Sequence, residues 1–594
     1  MDLALERLTE GLAHLDCADA PNSSITENDT PLIQELRRLL DRGGGEVLMS
    51  LVASGAPEAR GAFVTLRVPW DLHEACAAHL AAAAGALNAC VTRQYALPAE
   101  KRTVVLLRSA PRVVEDHIEV RVAIVGNVDA GKSTLLGVLT KGALDDGRGR
   151  ARVGLFRHKH ELDTGRTSSV GTEVMGFRAD GSPVVELRAE DSAARKIAWE
   201  AVCREAAKVV SFIDLAGHER YLKTTVYGMT SGLPDYVVLM VGANAGLIGM
   251  SKEHLGIALA LGIPVCVVVT KVDMCPAHIL DATMKQIFKV LQSPGCRKTP
   301  VMMNSEQAVT DAAAQLPVER ICPVFQVSNV TGKNLDLLRS FLNLLPSSQA
   351  RFAPLQHKSV EMPITDVFSV PFVGTVVSGV LVSGVVNVGD TLLLGPDSLG
   401  QFTSTAVRSI QRKRVNVESA SAGQSISFAL KRVRRNQVRK GMLLLSRSTQ
   451  PPMAHQEFEA EVLCLYHSTT LSLGSCIVLH AASIRQTVKI VAIAKIETST
   501  ARPGAVHYHD DTKPVVRMGD RARVRLQFMA APEYIQPGTK LIAREGKTRL
   551  VGVVRAVGDA MVLSRAAPPD RLGTGHAGAA TIAVPPATRL SGTA

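Results

Sequence analysis

Residues 120–126, VRVAIVG, form an apolar run, and GNVDAGKS follows with no linker, starting at the shared Gly126. Helical spacing begins at Lys132 and continues to Leu139. A strand, a G-x-x-x-x-G-K-S turn and a helix in immediate succession leave the backbone few choices. The turn curls so that its N–H groups face one concavity, and the helix N-terminus adds the positive end of its dipole. That concavity suits phosphate oxygens. The candidate cradle is Gly126, Asn127, Val128, Asp129, Ala130, Gly131, Lys132, Ser133 and Thr134. Lys132 has the reach for β- and γ-phosphates, and the Ser133 hydroxyl suits Mg²⁺.

The surroundings repeat the same alternation. Apolar runs at 210–217, 236–243, 265–271 and 323–329 alternate with helical stretches such as Lys252–Leu261 and His278–Leu291. Near-continuous Val/Ile/Leu strands with helical crossovers predict an α/β fold with a mostly parallel sheet, here a P-loop domain over 116–350. Residues 1–115 read as a small α+β region without a chemical motif: a helix at 29–42, strands at 47–53 and 62–68, and an Ala-rich helix at 72–91. From Glu361 short alternating strands with Gly turns predict two β-barrels, over 358–450 and 453–560. The Gly/Ala/Pro/Thr-rich tail, 566–594, has the composition of a disordered segment.

Composition narrows the setting. The 594 residues are 46% hydrophobic and carry a formal charge of +12, which suits a polyanionic partner, with nucleic acid ahead of membrane. The ten cysteines form no C-x-x-C pair and no zinc spacing, as expected of reduced thiols in the cytoplasm. The N-terminus lacks the pattern of a signal peptide, and the apolar stretch 76–87 is too short to cross a bilayer. A secreted disulfide scaffold and a helical membrane protein are both disfavoured.

Three further segments complete the expected nucleotide site. Asp214 and Gly217 end the next apolar strand, where the carboxylate can order the water shell of Mg²⁺ and the glycine N–H can meet the γ-phosphate. The polar segment 161–173 lies where a nucleotide-sensing loop belongs, and its Thr167 offers a second hydroxyl to Mg²⁺. Thr270-Lys271-Val272-Asp273 ends another strand. Asp273 can accept from guanine N1–H and the exocyclic amine, a donor pair adenine lacks, so ATP is disfavoured. Lys271 can lie across the base, and Thr270 stands where an Asn usually braces the phosphate loop. Ser328, Asn329 and Val330 end a later strand, where backbone N–H groups can meet guanine O6.

Taken with FSVPFVGTVVSGVLVSGVVNVGDTLLLGP (368–396) and EGKTRLVGVV (545–554), these segments resemble the translation-factor GTPases of the elongation factor Tu and elongation factor 1-alpha type. FRHKHELDTGRTSSVGTEVMGF, IDLAGHERYLKTTVYGM and TKVDMCP are more narrowly similar to the GTP-binding protein 1 and 2 group, which also carries TKxD. The resemblance spans roughly 115–560 and implies GTP and GDP as ligands, Mg²⁺ as cofactor and GTP hydrolysis as the reaction. It further implies His218 as the residue orienting the attacking water, and Asp129 beside a monovalent cation. Partners implied are the ribosome, aminoacyl-tRNA or other RNA, and the RNA-decay machinery, with no membrane. The roles implied are elongation, relief of stalling or mRNA turnover; the alternative is a GTP-dependent adaptor for RNA-decay complexes without tRNA delivery. Where elongation factors have an apolar gate residue opposite Val128, this chain has Arg166, expected to face solvent or RNA. Eleven Lys and Arg residues between Arg408 and Arg447 are expected to form one positive face for RNA phosphates.

Overall fold

The computed structural model describes residues 30–53, 58–60, 63–97, 100–111, 113, 116–156, 159–164, 167–185, 199–447, 451–466, 470–495, 515–546 and 548–563. Arg166 and the tail 566–594 lie outside them. The N-terminal part is a five-stranded sheet of β1 (Glu46–Val52), β2 (Glu58–Arg60), β3 (Phe63–Arg67), β4 (Ala89–Leu97) and β5 (Arg102–Ser109), in the order β2-β3-β1-β5-β4. Helices Thr30–Gly43 and His73–Ala86 supply the residues that fill its core, among them Leu36, Leu39, Cys76 and Leu80. The Ala-rich helix expected to reach residue 91 stops at Ala86. Asn88 adopts φ 53° and donates its side-chain amide to Ala110 O at 2.9 Å, which turns the chain into β4.

The other face of this sheet, with Leu48, Val104 and Leu106, shares a core with the following domain. Buried charge pins the junction. Arg108 reaches Glu46 Oε2 at 2.9 Å, and Lys208 pairs with the same carboxylate while donating to Asn343 O and Leu345 O. Burial brings the Lys208 ammonium down to about 8, against the pull of Glu46.

The central domain is a seven-stranded sheet. It contains β6 (Ile118–Gly126), β7 (Gly171–Phe177), β8 (Lys208–Asp214), β9 (Tyr236–Gly242), β10 (Val265–Thr270), β11 (Thr299–Met302) and β12 (Ile321–Gln326). The order is β11-β12-β10-β9-β6-β8-β7, parallel throughout except for β7, which runs antiparallel to β8 at the edge. Alternate residues of β6 enter cores on the two faces, Val122 and Ile124 on one and Ala123 and Val125 on the other. That two-sided burial explains the near-continuous apolar runs. The loops carrying Asn127–Gly131, Leu215–Gly217 and Lys271–Asp273 all leave C-terminal strand ends, so the topology gathers them along one rim of the sheet.

Two β-domains follow. Strands between Glu361 and Ser446 build the first, and six strands between Glu457 and Val557 close into a barrel. The barrel touches the central domain through Arg544–Glu253 at 3.1 Å and Lys540 Nζ donating to Leu261 O at 2.8 Å. Among the described residues no helix is long and apolar enough to cross a membrane.

The eleven basic residues between Arg408 and Arg447 do not form the expected single positive face. Arg412 and Lys413 are buried at Glu119 of β6: Lys413 Nζ lies 2.8 Å from Oε1, and Arg412 donates to His117 O at 3.0 Å. Arg439 pairs with Glu533 at 2.9 Å, Lys440 pairs with Asp366, and Arg414 stacks over the Trp199 ring at 4.7 Å. Lys431, Arg432, Arg434 and Arg435 stay exposed. Alternating polarity cannot reveal which cations are spent on joining domains.

Glu119 also accepts from Ser211 Oγ at 2.9 Å and from Ser425 N at 3.3 Å. Burial alone would raise its carboxyl, but Lys413, Arg412 and Arg121 together hold it far below the ordinary carboxylate range. Its stabilising contribution is present above the ordinary value of 4.5 and is lost as pH falls toward the depressed folded value. Glu119→Ala leaves buried cations uncompensated and is expected to cost about 3–5 kcal/mol. Thermal unfolding checks this, and an unchanged midpoint would contradict it.

Candidate functional site

The phosphate loop joins β6 to helix Lys132–Lys141. Lys132 is buried and donates from Nζ to Asn127 O at 2.8 Å, which folds the lysine back along its own loop. Burial brings its ammonium down to about 8, opposed by Asp214 and Asp129. Gly217 closes on the same spot: a Cβ there would stand 2.4 Å from Lys132 Nζ and 2.6 Å from Gly126 O. Only glycine permits that approach.

Ser133, Thr167 and Asp214 come together although they lie far apart in the chain. Ser133 Oγ donates to Asp214 Oδ2 at 2.7 Å and sits 2.8 Å from Thr167 Oγ1. Asp214 is buried, and burial raises its carboxyl, with the Ser133 hydrogen bond and Lys132 opposing. Its second oxygen, Oδ1, is buried without a hydrogen-bond partner among the described residues. Two hydroxyls beside a buried, half-satisfied carboxylate are the hard oxygen donors Mg²⁺ prefers, and the group fits that ion.

His218 follows Gly217 and lines the same cleft, bordered also by Val128, Asp129, Gly131, Ser133, Thr134 and Thr167. Its Nδ1 accepts from Arg220 N–H at 3.1 Å, so the neutral ring carries its proton on Nε2.

The end of the site expected to take the base is built from two strand ends. Thr270 is fully buried and donates from Oγ1 to Ala130 O at 2.9 Å, so the hydroxyl braces the phosphate loop as expected of the residue in the Asn position. Asn329 stands beside it: its Nδ2 and Thr270 Oγ1 would each lie 3.5 Å from a Cβ on Gly131. Lys271 takes φ 61°, turning the chain so that Asp273 emerges exposed. Ser328 Oγ accepts from the N–H groups of Val330 and Thr331, at 3.2 and 3.0 Å, which shapes the turn after β12.

Two residues of the site escaped the sequence reading. His254, in helix Gly249–Leu261, is buried and accepts from Gly126 N–H through Nδ1 at 3.1 Å. Burial, then Lys132 and Arg544, bring its imidazole down to about 3, so it stays neutral and can accept. A histidine in an apolar helix reads as core, and no local pattern marks this one. Arg152 also lines the cleft. It sits in a Gly/Arg-rich segment, DDGRGRAR (145–152), which was the available signal.

Comparison with known proteins adds an independent view. The model of the elongation factor Tu GTP binding domain matches residues 117–347, and that of elongation factor Tu domain 2 matches 374–445. GTP-binding protein 1 of Xenopus laevis is 51% identical over 440 residues, covering 74% of this chain and 63% of that protein. The chain therefore spans less than two thirds of that relative's length. GTP-binding protein 2 of Mus musculus is 42% identical over 460 residues, covering 77% of this chain and 72% of that protein. Translation elongation factor SelB of Methanococcus maripaludis, solved with the GTP analogue GppNHp, superposes with a TM-score of 0.51 at 19% identity, over 75% of this chain and 80% of that one, a likeness of fold.

Proposed function

The chain belongs to the GTP-binding protein 1 and 2 group of the elongation factor Tu-type GTPases, a family of GTP hydrolases, and on that premise we propose that it binds GTP, hydrolyses it to GDP and phosphate, and alternates between the two states on an RNA-containing translation partner in the cytoplasm. The observation that carries the reading is the meeting of Ser133, Thr167 and Asp214, with the Ser133 hydroxyl on Asp214 Oδ2 and Oδ1 left without a hydrogen-bond partner among the described residues. A loop threonine held there links the phosphate site to the 161–173 segment, where a response to the γ-phosphate would begin.

In this reading the hydroxyls of Ser133 and Thr167 would hold Mg²⁺, with the Asp214 carboxylate beside them. When bound, Mg²⁺ offsets charge on the triphosphate. Lys132 turns from Asn127 O to the β- and γ-phosphate oxygens, and the loop N–H groups take the rest. His218 orients a water toward the γ-phosphorus. The new P–O bond forms from that water, the bond to the β–γ bridging oxygen breaks, and GDP leaves. Thr270 and Asn329 hold the loop still, Lys271 lies across the base, Asp273 selects guanine, and the 328–330 turn meets O6.

The +12 charge and the exposed cations at 431–435 support an RNA-bearing partner. Co-sedimentation with ribosomes tests it. Pelleting in a non-hydrolysable GTP analogue is expected to exceed pelleting in GDP, and to weaken steeply with salt. Equal pelleting in both nucleotides would sink the switch. If the protein pellets but does not shield aminoacyl-tRNA from deacylation in GTP, the adaptor role replaces the carrier role.

A further inference from the structure

The segment after the phosphate-loop helix wraps from the base end of the site to the phosphate end. Asp145, itself buried, starts it: its N–H donates to Asn329 O at 2.9 Å, beside the 328–330 turn. Its carboxylate accepts from the N–H groups of Gly147 and Gly149 at 3.1 and 3.0 Å, and of Ala151 at 2.9 Å. One side chain thus sets the course of seven residues. The far end presses on helix Lys132–Lys141. A Cβ at Gly137 would stand 2.1 Å from Ala151 O, so the helix carries glycine where the segment crosses it.

Three arginines follow at every second position, and they do not behave alike. Arg148 and Arg150 are exposed. Arg152 is half-buried and lines the cleft together with Asp129, Lys132, Ser133, Thr134 and Thr167. Its guanidinium lies close over Gly149, where a Cβ would come within 2.6 Å of Nε. It forms no ion pair among the described residues. An arginine held at a polar cleft by an organised segment, with its fork unspent, is arranged for an anion.

The charge balance points the same way. A nucleoside triphosphate carries more negative charge than one lysine and one divalent ion offset, and Asp129 and Asp214 at the same cleft deepen the deficit. We infer that Arg152 is a phosphate-binding residue supplied in cis, which donates to the phosphate oxygens of the bound nucleotide. The inference rests on the nucleotide reading of the cleft. It also gives the 145–152 segment a purpose: the strand end that reads the base and the cation that reads the phosphates are tied by one Asp145-centred turn.

Binding of a non-hydrolysable GTP analogue, of GDP and of guanosine to the full chain tests it, with wild type, Arg152→Ala and Arg152→Lys compared. Arg152→Ala is expected to weaken the GTP analogue by about ten- to a hundredfold, the size of a lost charged hydrogen bond, and to leave guanosine unchanged. Arg152→Lys is expected to lose less, since it keeps the charge without the fork. Unchanged affinity for the GTP analogue in Arg152→Ala would overturn the assignment. So would a parallel loss for guanosine, which would mean that Arg152 only shapes the segment. A wild-type chain that binds guanosine and the GTP analogue equally would overturn the nucleotide reading itself.

Discussion

Asp273→Asn is expected to swing the preference of the site from guanine to xanthine nucleotides, by on the order of 10⁴-fold in the ratio of GTP to XTP affinity. In the proposed site the carboxylate would accept two hydrogen bonds from guanine, at N1–H and at the exocyclic amine. An amide keeps one acceptor and replaces the other with a donor, which opposes the amine and matches the carbonyl that xanthine has there. The penalty is large because the mismatched donor stays unpaired once the base covers it. Asp273 is free to do this: it follows the turn at Lys271 and emerges exposed, whereas Thr270 is fully buried and spent on Ala130 O. Competition against a fluorescent guanine nucleotide measures both affinities. An unchanged preference for GTP would remove Asp273 from base selection. Thr270→Asn is expected to alter the off-rate of the nucleotide and leave the base choice alone.

His218→Ala is expected to slow ribosome-stimulated hydrolysis by about 10²–10⁴-fold while the affinity for a GTP analogue stays as it was. The side chain lines the cleft, while Lys132 and Ser133 are held by Asn127 O and Asp214, so the phosphate cradle survives its loss. Its ring is oriented by the backbone of its own turn, through the Arg220 N–H. Single-turnover hydrolysis separates the chemical step from binding. If stimulation persists in the variant, water orientation belongs to another group.

The parts of the site that could be read from the chain alone are those in which one short segment performs one task. GNVDAGKS announces itself because a phosphate loop needs glycines, a lysine and a helix start within a few residues. Thr270 was readable for the same reason: its place at a strand end fixed what its hydroxyl had to reach, and it reaches Ala130 O. Five of the six parallel strands of the central sheet were visible because burial on both faces forces apolar continuity; β11, at the edge, was not, and it has no fully buried residue. Edge strand β7 was not, since its first three residues are only half-buried. Long-range pairings were hidden. Nothing local ties His254 to Gly126, or Arg412 and Lys413 to Glu119, because each partner lies more than a hundred residues away. A basic run looks the same whether its charges face RNA or a buried carboxylate. The end of the Ala-rich helix was missed because Asn88 acts through backbone conformation, a choice that composition does not record.

Strand β6 has a different occupation at each end. Near its start, Glu119 and Arg121 are locked into the first β-domain, the latter by donating to Gly423 O at 2.9 Å. At its finish Gly126 opens the phosphate loop. The intervening residues are buried and held in the sheet throughout, paired with β8 as far as Ile124 and with β9 from Val122 onward, a span of about 23 Å at the rise of a strand. A paired central strand neither stretches nor bends at a single joint. The attachment of the first β-domain and the seat of the phosphates are therefore two marks on one ruler. Any reorientation of that domain against the nucleotide must break the Glu119 cluster rather than flex around it.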